Sequence, residues 1–350
     1  MTAPPYKLVN ASVIDFLDSL EEQTFHAGCT SVPYWKQRKY PVKGAYGQEA
    51  TREEWGDNQV AVFQRARRVL RDDGTFLVVV GEAMTDRKSD GLKKGEVSLQ
   101  GPYLAERFRA DGWWVKALIT IEFTNRPPVP FYNRPVQSHE YAILLAKNEN
   151  DYFWDYISSR DKGVGFDRAM RTVWTGPTEK AWRNPRSEFK HTSTYPRWIP
   201  DRYLSASVSE GGVCASCGTP RAPVIQEAEG GSKGASWHDH KNDAERGNAK
   251  RTSSDNYKPA IITGWKKGCR CRPSETTTPF VLDPYTGTST TGVVAMSRGC
   301  AYMGIDIDKR CVRDSEVRLA EHAESLRMPL FDSRKASRRQ TSLLPAENDQ

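Results

Sequence analysis

The run Val281-Leu-Asp-Pro-Tyr-Thr-Gly-Thr-Ser-Thr-Thr-Gly292 constrains this chain more than any other stretch. Apolar residues end in an acid, a turn of small residues follows, and the turn leads into helix-forming sequence. A second apolar run closes at Gly304-Ile-Asp-Ile-Asp308, so its acid comes about two dozen residues after the first. In an open α/β sheet, such strand ends hold a nucleoside-like ligand. Small turn residues let backbone approach the ligand, and the second acid can accept from two ribose hydroxyls. A dinucleotide site would need a turn reading G-x-G-x-x-G. Here Asp-Pro-Tyr precedes the turn, and only Gly287 lies inside it before Gly292. The bland alternative is a buried strand-turn-helix without a ligand.

A chain of 350 residues can bury one large α/β core or two smaller ones. Mean hydropathy is −0.68, so surface and loops are very polar. A net charge of +7 is compatible with a nucleic-acid partner but does not single one out. The sequence has no apolar run of about 20 residues to span a membrane. Met-Thr-Ala-Pro-Pro-Tyr-Lys at the start lacks a signal-peptide core, so a cytoplasmic location is expected. Seven cysteines do not form a disulfide framework. Cys29, Cys300 and Cys311 read as buried thiols, while Cys214, Cys217, Cys269 and Cys271 cluster.

Short strands are expected at Tyr6–Val9 and Phe25–Thr30, with a helix at Val13–Leu20 between them. Thr51 with Glu54 forms a capping box. Trp55, Gln59, Val62, Ala66 and Val69 follow at helical spacing to about Leu70. Asp72-Asp-Gly74 should stop that helix, and Thr75–Gly81 should be a buried strand. A helix at Leu104–Ala110 and strands at Trp114–Phe123 and Glu140–Lys147 complete the first half. Alternating strands and helices argue for a mainly parallel sheet covered on both faces. Three segments stand apart: a basic loop at 85–101, which includes Arg87 and Lys88; an aromatic and basic stretch at 151–200; and a polar excursion at 226–259. A polar tail begins at Ser333.

A second motif lies far from the first. Cys29-Thr-Ser-Val-Pro-Tyr-Trp35 resembles the catalytic Thr-Ser-Pro-Pro-Tyr-Trp of DNA amino-methyltransferases. Asp283–Thr291 resembles the same family's S-adenosylmethionine motif, Asp-Pro-Phe-x-Gly-Ser-Gly-Thr-Thr. Catalytic motif before cofactor motif is the order of the β class. Intermediate stretches match too: Arg68–Gly74, Gly112-Trp113, Arg134-Pro135 with His139-Glu-Tyr141, and Val213–Pro220. The resemblance spans roughly residues 6–325.

The resemblance implies a Rossmann-like methyltransferase fold with an antiparallel edge hairpin, and a zinc-ribbon-like insertion is expected from the cysteines. It divides the chain into a catalytic half (1–150), a DNA-contact segment (151–200), a zinc-knuckle insertion (208–275), a cofactor half (279–325) and a tail (333–350). The activity implied is methyl transfer from S-adenosylmethionine to the exocyclic amino group of a flipped base. Ser31 would accept one N–H of that amino group and a motif backbone carbonyl the other, and Tyr34 would stack on the base. Val32 stands where the family has its first proline and does not lock its own φ, although Pro33 restricts it from the other side. Taken alone, Ser-Val-Pro-Tyr could be a strand-end turn. Ser31, rather than Asp or Asn, points to cytosine N4 over adenine N6. Cys29 as a nucleophile for C5 methylation is disfavoured by its place inside a strand.

On the cofactor side, Asp283 would face the methionine end, and Pro284 and Tyr285 would wall the pocket. Gly287 would admit close approach, and Thr290 and Thr291 would begin the helix. Asp306 would take the ribose hydroxyls, with Asp308 its rival or the cap of the next helix. Ser289 replaces a second glycine; its side chain either crowds the ligand or points away. His191, more often a surface histidine in such a setting, is a further candidate near the methionine pocket.

Cys214-x-x-Cys217 with Gly218 reads as a metal knuckle, and Cys269-x-Cys271 supplies a second pair. Four thiolates suit a structural Zn²⁺, with His238 and His240 as possible substitutes. Arg168, Arg171, Arg183 and Arg186 are expected to contact double-stranded DNA. The expected assembly is a monomer or homodimer. The departures at Val32 and Ser289 leave a DNA-binding relic as a second reading; an RNA or protein methyltransferase fits less well.

Overall fold

The computed structural model describes residues 4–38, 40, 42–85, 92–126, 133–161, 168–189, 194–226, 260–272 and 275–327. The expectations for Arg87, Lys88, His191, His238, His240, parts of the 151–200 stretch, most of the 226–259 excursion and the tail from Ser333 lie outside these residues.

Eight strands form one sheet. They are β1 (Tyr6–Asn10), β2 (Phe25–Ser31), β3 (Leu70–Val80), β4 (Trp114–Phe123), β5 (His139–Ala146), β6 (Val173–Gly176), β11 (Phe280–Asp283) and β12 (Ala301–Asp306). Their spatial order is β1-β12-β11-β2-β3-β5-β4-β6. Only β5 runs against the others, pairing antiparallel with both β3 and β4. The expected hairpin of β4 and β5 is therefore present. It carries one addition at the edge: β6, from the 151–200 stretch, pairs parallel with β4.

Neighbouring residues of β3 face opposite layers, because side chains alternate along a strand. Phe76, Val78 and Val80 pack with helices α1 (Val13–Asp18), α2 (Arg52–Val69) and α3 (Gln100–Ala110). Leu77 and Val79 pack with α4 (Trp198–Ser207), α5 (Thr290–Ser297) and α6 (Lys309–Arg327). Each fully buried large apolar side chain contributes about 1.5–3 kcal/mol. Trp174 joins the second layer at 1% exposure, so part of the aromatic stretch is core rather than contact surface.

Local signals explain most boundaries. The Glu54 N–H donates to Thr51 Oγ1 at 3.0 Å, and the Ala50 N–H donates to the Glu54 carboxylate at 2.9 Å. Such a cap contributes about 1 kcal/mol. Helix α2 then ends at Val69, and Leu70 is already extended. The expected stop at Asp72-Asp-Gly74 is instead an irregularity inside β3, where the pairing jumps from Phe25–Leu70 to Ala27–Thr75. Gly74 is required there because a Cβ would come within 2.8 Å of the His26 carbonyl. Helix α3 begins at Gln100, four residues before the expected Leu104, because Gln100 is anchored by its side chain.

The remaining strands lie apart from the sheet. β7 (Val213–Cys214) pairs with β10 (Thr276–Thr277), and β8 (Ala222–Gln226) pairs with β9 (Ile261–Lys266), both antiparallel. Together they form the small cysteine-bearing insertion. Among the described residues, no helix is long and apolar enough to cross a membrane.

Candidate active site

A cavity of about 730 Å³ opens where β2, β11 and β12 end and antiparallel β5 begins. Its walls include Ser31, Val32, Pro33 and Tyr34 on one side and Pro284, Tyr285, Gly287, Thr290 and Asp306 on the other. The sheet order brings the two motifs together: β11 inserts beside β2, and β12 lies next to β11.

The catalytic loop is held from several directions. The Val32 N–H donates to the Val79 carbonyl at 3.1 Å, which extends the β2–β3 ladder by one bond. A proline could not make this bond. The Val32 side chain is 2% exposed and belongs to the core. Trp55 Nε1 donates to the Pro33 carbonyl at 2.8 Å. Gln100 brackets Trp35, accepting from its amide at 2.7 Å and donating to its carbonyl at 3.0 Å. With the Pro33 carbonyl engaged, that of Val32 remains as the candidate backbone acceptor. Ser31 Oγ donates to the Tyr34 hydroxyl at 3.1 Å, and that hydroxyl donates to Glu140 Oε2 at 2.9 Å. Arg126 completes the row through an ion pair with Glu140. Burial and the adjacent carboxylate of Glu140 hold the Tyr34 phenol well above its ordinary value.

Asp283 does not line the cavity. Its carboxylate is buried beneath the turn, accepting from Thr30 and Thr291 hydroxyls at 2.6 Å each and from the Tyr285 amide at 3.1 Å. Burial raises it to about 6. This acid therefore braces the turn, and Thr291 serves with it; neither is placed to touch a ligand in the cavity. Gly287 has φ +50° and donates its N–H to Asp306 Oδ2 at 3.0 Å. Asp306 does line the cavity, and its other oxygen accepts from the Asp308 amide at 2.8 Å. Burial raises Asp306 to about 7. Asp308 accepts from the Arg310 amide at 2.9 Å, so it caps α6, the second of the two roles expected for it.

Ser289 adopts φ +57° and ψ 44°, the left-handed conformation that favours glycine. Its side chain is fully buried and bonds the Thr286 hydroxyl at 2.8 Å. It points away from the cavity. Gly304 admits the same Thr286, because a Cβ there would lie 2.5 Å from Oγ1.

Several wall residues had no expected role. Glu140 lies in a stretch matched only as sequence, Phe123 ends β4, and Arg126 follows it. Tyr195 lines the cavity and contacts Thr291 Oγ1. Arg318 donates to the Thr288 carbonyl at 2.8 Å, holding the turn from α6. These contacts join residues far apart in sequence, so spacing carried no signal for them.

The four arginines are all exposed. Arg171 pairs with Asp161 at 3.0 Å, and Arg202 joins the same acid. The Arg168 amide donates to the Asp161 carbonyl at 3.0 Å. Arg186 lines a shallow hollow with Arg310 and Arg313, beside the main cavity. Arg183 adjoins it in sequence.

The cysteine sulfurs of Cys214, Cys217, Cys269 and Cys271 all lie within 4.8 Å of one another. Gly218, at φ +71°, donates to the Cys214 carbonyl at 2.8 Å and closes the knuckle. A hydrogen bond from Thr219 draws the Cys217 thiol down to about 6. The knuckle is fastened to the sheet at the end away from the cavity. Arg71 donates to the Cys217 carbonyl at 3.0 Å while ion-paired to Asp73. His26 Nδ1 accepts from the Phe280 amide, which leaves Nε2 to donate to the Gly218 carbonyl at 3.0 Å. Burial lowers His26 to about 4, consistent with a neutral ring.

Residues 1–215 match the family model described as DNA methylase, that of the N6 and N4 methyltransferases. The type II methyltransferase M.Cfr9I of Citrobacter freundii is 29% identical over 226 residues, covering 58% of this chain and 73% of the relative. M.SmaI of Serratia marcescens is 28% identical over 229 residues, covering 59% and 76%. Among solved structures, the cytosine-N4-specific PvuII DNA methyltransferase superposes with a TM-score of 0.57 at 13% identity, over 92% of this chain and 93% of its own. A DNA modification methylase of Thermus thermophilus, complexed with S-adenosyl-L-methionine, gives 0.53 at 18% identity, over 91% and 96%. At these identities the structural likeness is one of fold, a Rossmann-like methyltransferase fold. The family match takes in the catalytic loop, and by that match the chain belongs to the DNA methylase family of amino-methyltransferases.

Proposed function

We propose that this chain methylates the exocyclic amino group of a base flipped out of double-stranded DNA, with cytosine N4 the preferred target. The observation that carries this reading is the single cavity shared by Ser31 and Tyr34 with Gly287 and Asp306. S-adenosylmethionine, when bound, supplies an electrophilic methyl group. The donor set suits it: Asp306 is an acceptor for ribose hydroxyls, and Gly287 gives room for close approach. The volume lies within the roughly 300–1,000 Å³ range of small-molecule sites. An amino nitrogen conjugated with its ring is a poor nucleophile, so positioning is the main catalytic task. Ser31 Oγ and the Val32 carbonyl accept its two N–H groups, and Tyr34 stacks on the ring. The transfer is direct. Cys29 is buried, and burial pushes its thiol far above the thiolate range, which disfavours a covalent C5 route.

Two observations favour an active enzyme over the relic reading: Val32 makes a ladder bond to Val79, and the Ser289 side chain bonds Thr286. Cytosine rests on Ser31 in the first motif position; adenine N6 is the alternative. The four-cysteine cluster has the donor set of a closed, structural Zn²⁺ site. Arg186, exposed in the hollow beside the cavity, and Arg183, exposed three residues before it, are the contacts to backbone phosphates in this reading. Mass spectrometry of nucleosides from DNA of an expressing cell is the test. N4-methylcytosine is expected from the wild type and none from Ser31→Ala. 5-Methylcytosine, or no methylated base, would overturn the proposal.

A further inference from the structure

The cavity contains a row of polar groups that positioning by Ser31 and Val32 alone does not use. Ser31, Tyr34, Glu140 and Arg126 all line it, and they form one chain. Glu140 stands at the start of β5, 9% exposed, and reaches Tyr34 from 106 residues away. Its side chain is held on both oxygens, Oε2 by Tyr34 and Oε1 by Arg126.

The direction of this chain is dictated at its charged end. A carboxylate paired with a guanidinium offers acceptors only. The Tyr34 hydroxyl must then spend its single proton on Glu140. Its oxygen is left to accept, and Ser31 Oγ donates to it at 3.1 Å. The one proton of Ser31 is thereby committed away from the cavity, and its lone pairs remain for a ligand. We propose that Glu140 is a positioning and specificity residue that, through Tyr34, makes Ser31 an acceptor, so that the pocket selects a base edge presenting an amino group and rejects one presenting a keto oxygen.

This rests on the methyltransferase reading and deepens it. A serine hydroxyl left to rotate can donate as readily as accept, and would tolerate uracil or thymine O4 in place of cytosine N4. Discrimination built on an obligate acceptor is strong, because a mismatched ligand leaves buried polar groups facing each other without a proton between them. Tyr34 thus acts twice, with its ring face toward the base and its hydroxyl in the chain.

Two substitutions break the chain in different ways. Glu140→Gln keeps the shape but adds an amide donor, which can donate to the Tyr34 oxygen and reverse both hydroxyls. Tyr34→Phe keeps the stacking ring and removes the middle link. The methylated site is first mapped in DNA from cells expressing the wild-type chain. Synthetic duplexes then carry that site with either its own target base or the keto counterpart, uracil for cytosine or hypoxanthine for adenine. Both variants should lose about a hundredfold in kcat, the scale for removing one preorganised hydrogen-bonding group, with KM for DNA little changed. The wild-type preference for the amino over the keto duplex should fall at least ~tenfold in both, the Val32 carbonyl, an acceptor in every variant, keeping the remainder. The double variant should be no worse than the poorer single one, because both cut the same chain. If Glu140→Gln does not fold, Tyr34→Phe and its binding ratio decide alone. A Glu140→Gln enzyme within about twofold of wild type, or losses that multiply in the double variant, would overturn the proposal. A wild-type chain that transfers no methyl group would instead overturn the methyltransferase reading.

Discussion

Restoring the family's proline at position 32 should weaken this protein rather than improve it. The Val32 N–H donates to the Val79 carbonyl at 3.1 Å, and Val79 is fully buried. Val32→Pro deletes that donor and strands a carbonyl in the middle of the sheet. An orphaned buried acceptor costs about 1–3 kcal/mol. Proline stiffens the unfolded chain and returns about 0.4–1 kcal/mol. The two side chains are of similar size, so packing changes little. The net loss is therefore about 1 kcal/mol, which lowers the melting midpoint by roughly 2–4 °C in a domain of 150–250 residues and by somewhat less here. Thermal unfolding followed by circular dichroism, with a chemical-denaturation midpoint as a check, measures it. A Val32→Pro variant that melts at or above the wild type would show that the ladder bond contributes nothing and that motif rigidity decides.

Other outcomes test different parts of the site. Burial raises Asp306 to about 7 and Asp283 to about 6, so both bind protons more tightly folded than unfolded, where an aspartate titrates near ~3.9. Their stabilising contribution to the ligand-free protein is full below about pH 4 and is lost as pH rises through 6–7. S-adenosylmethionine affinity should move oppositely, rising until about pH 7 as Asp306 ionises; calorimetry giving the same affinity at pH 6 and pH 8 would count against a ribose role for it. Protein purified without chelator should carry one zinc per chain, and Cys214→Ser should lower stability more than transfer rate; elemental analysis well below one zinc would remove the metal reading. Reversing Arg183 and Arg186 to Glu should weaken duplex binding and flatten its salt slope by up to about 2. An unchanged slope would place DNA recognition elsewhere.

Much of this architecture was legible in the residues because it rests on local rules. The strand-end acids, the Thr51 cap and the apolar runs of β3, β4 and β5 each declare themselves within a dozen positions. What stayed hidden depends on distance. Asp283 reads as a ligand contact in sequence, and only the fold shows Thr30 and Thr291 consuming its oxygens. Ser289 occupies a glycine conformation, yet its neighbours alone do not reveal that Thr286 draws it inward. Trp174 belongs to a stretch whose basic composition suggests a surface, and the pairing of β6 with β4 buries it. Glu140 and Gln100 meet the catalytic loop across many residues, where periodicity carries no information.

The strand order also sets a timetable for synthesis. β2 lies between β3 and β11, and among the described residues β1 pairs only with β12, so β1 and one edge of β2 wait for partners made near the other end. At ~5–20 residues per second, the roughly 250 residues between Ser31 and Phe280 take about 12–50 s to emerge. Throughout that interval β2 offers an unpaired edge that includes Ala27 and Cys29, of the kind that recruits other chains. A nascent chain truncated before β11 would keep that edge permanently. The half of the protein carrying the catalytic loop is thus the half most in need of shelter while the cofactor half is still being made.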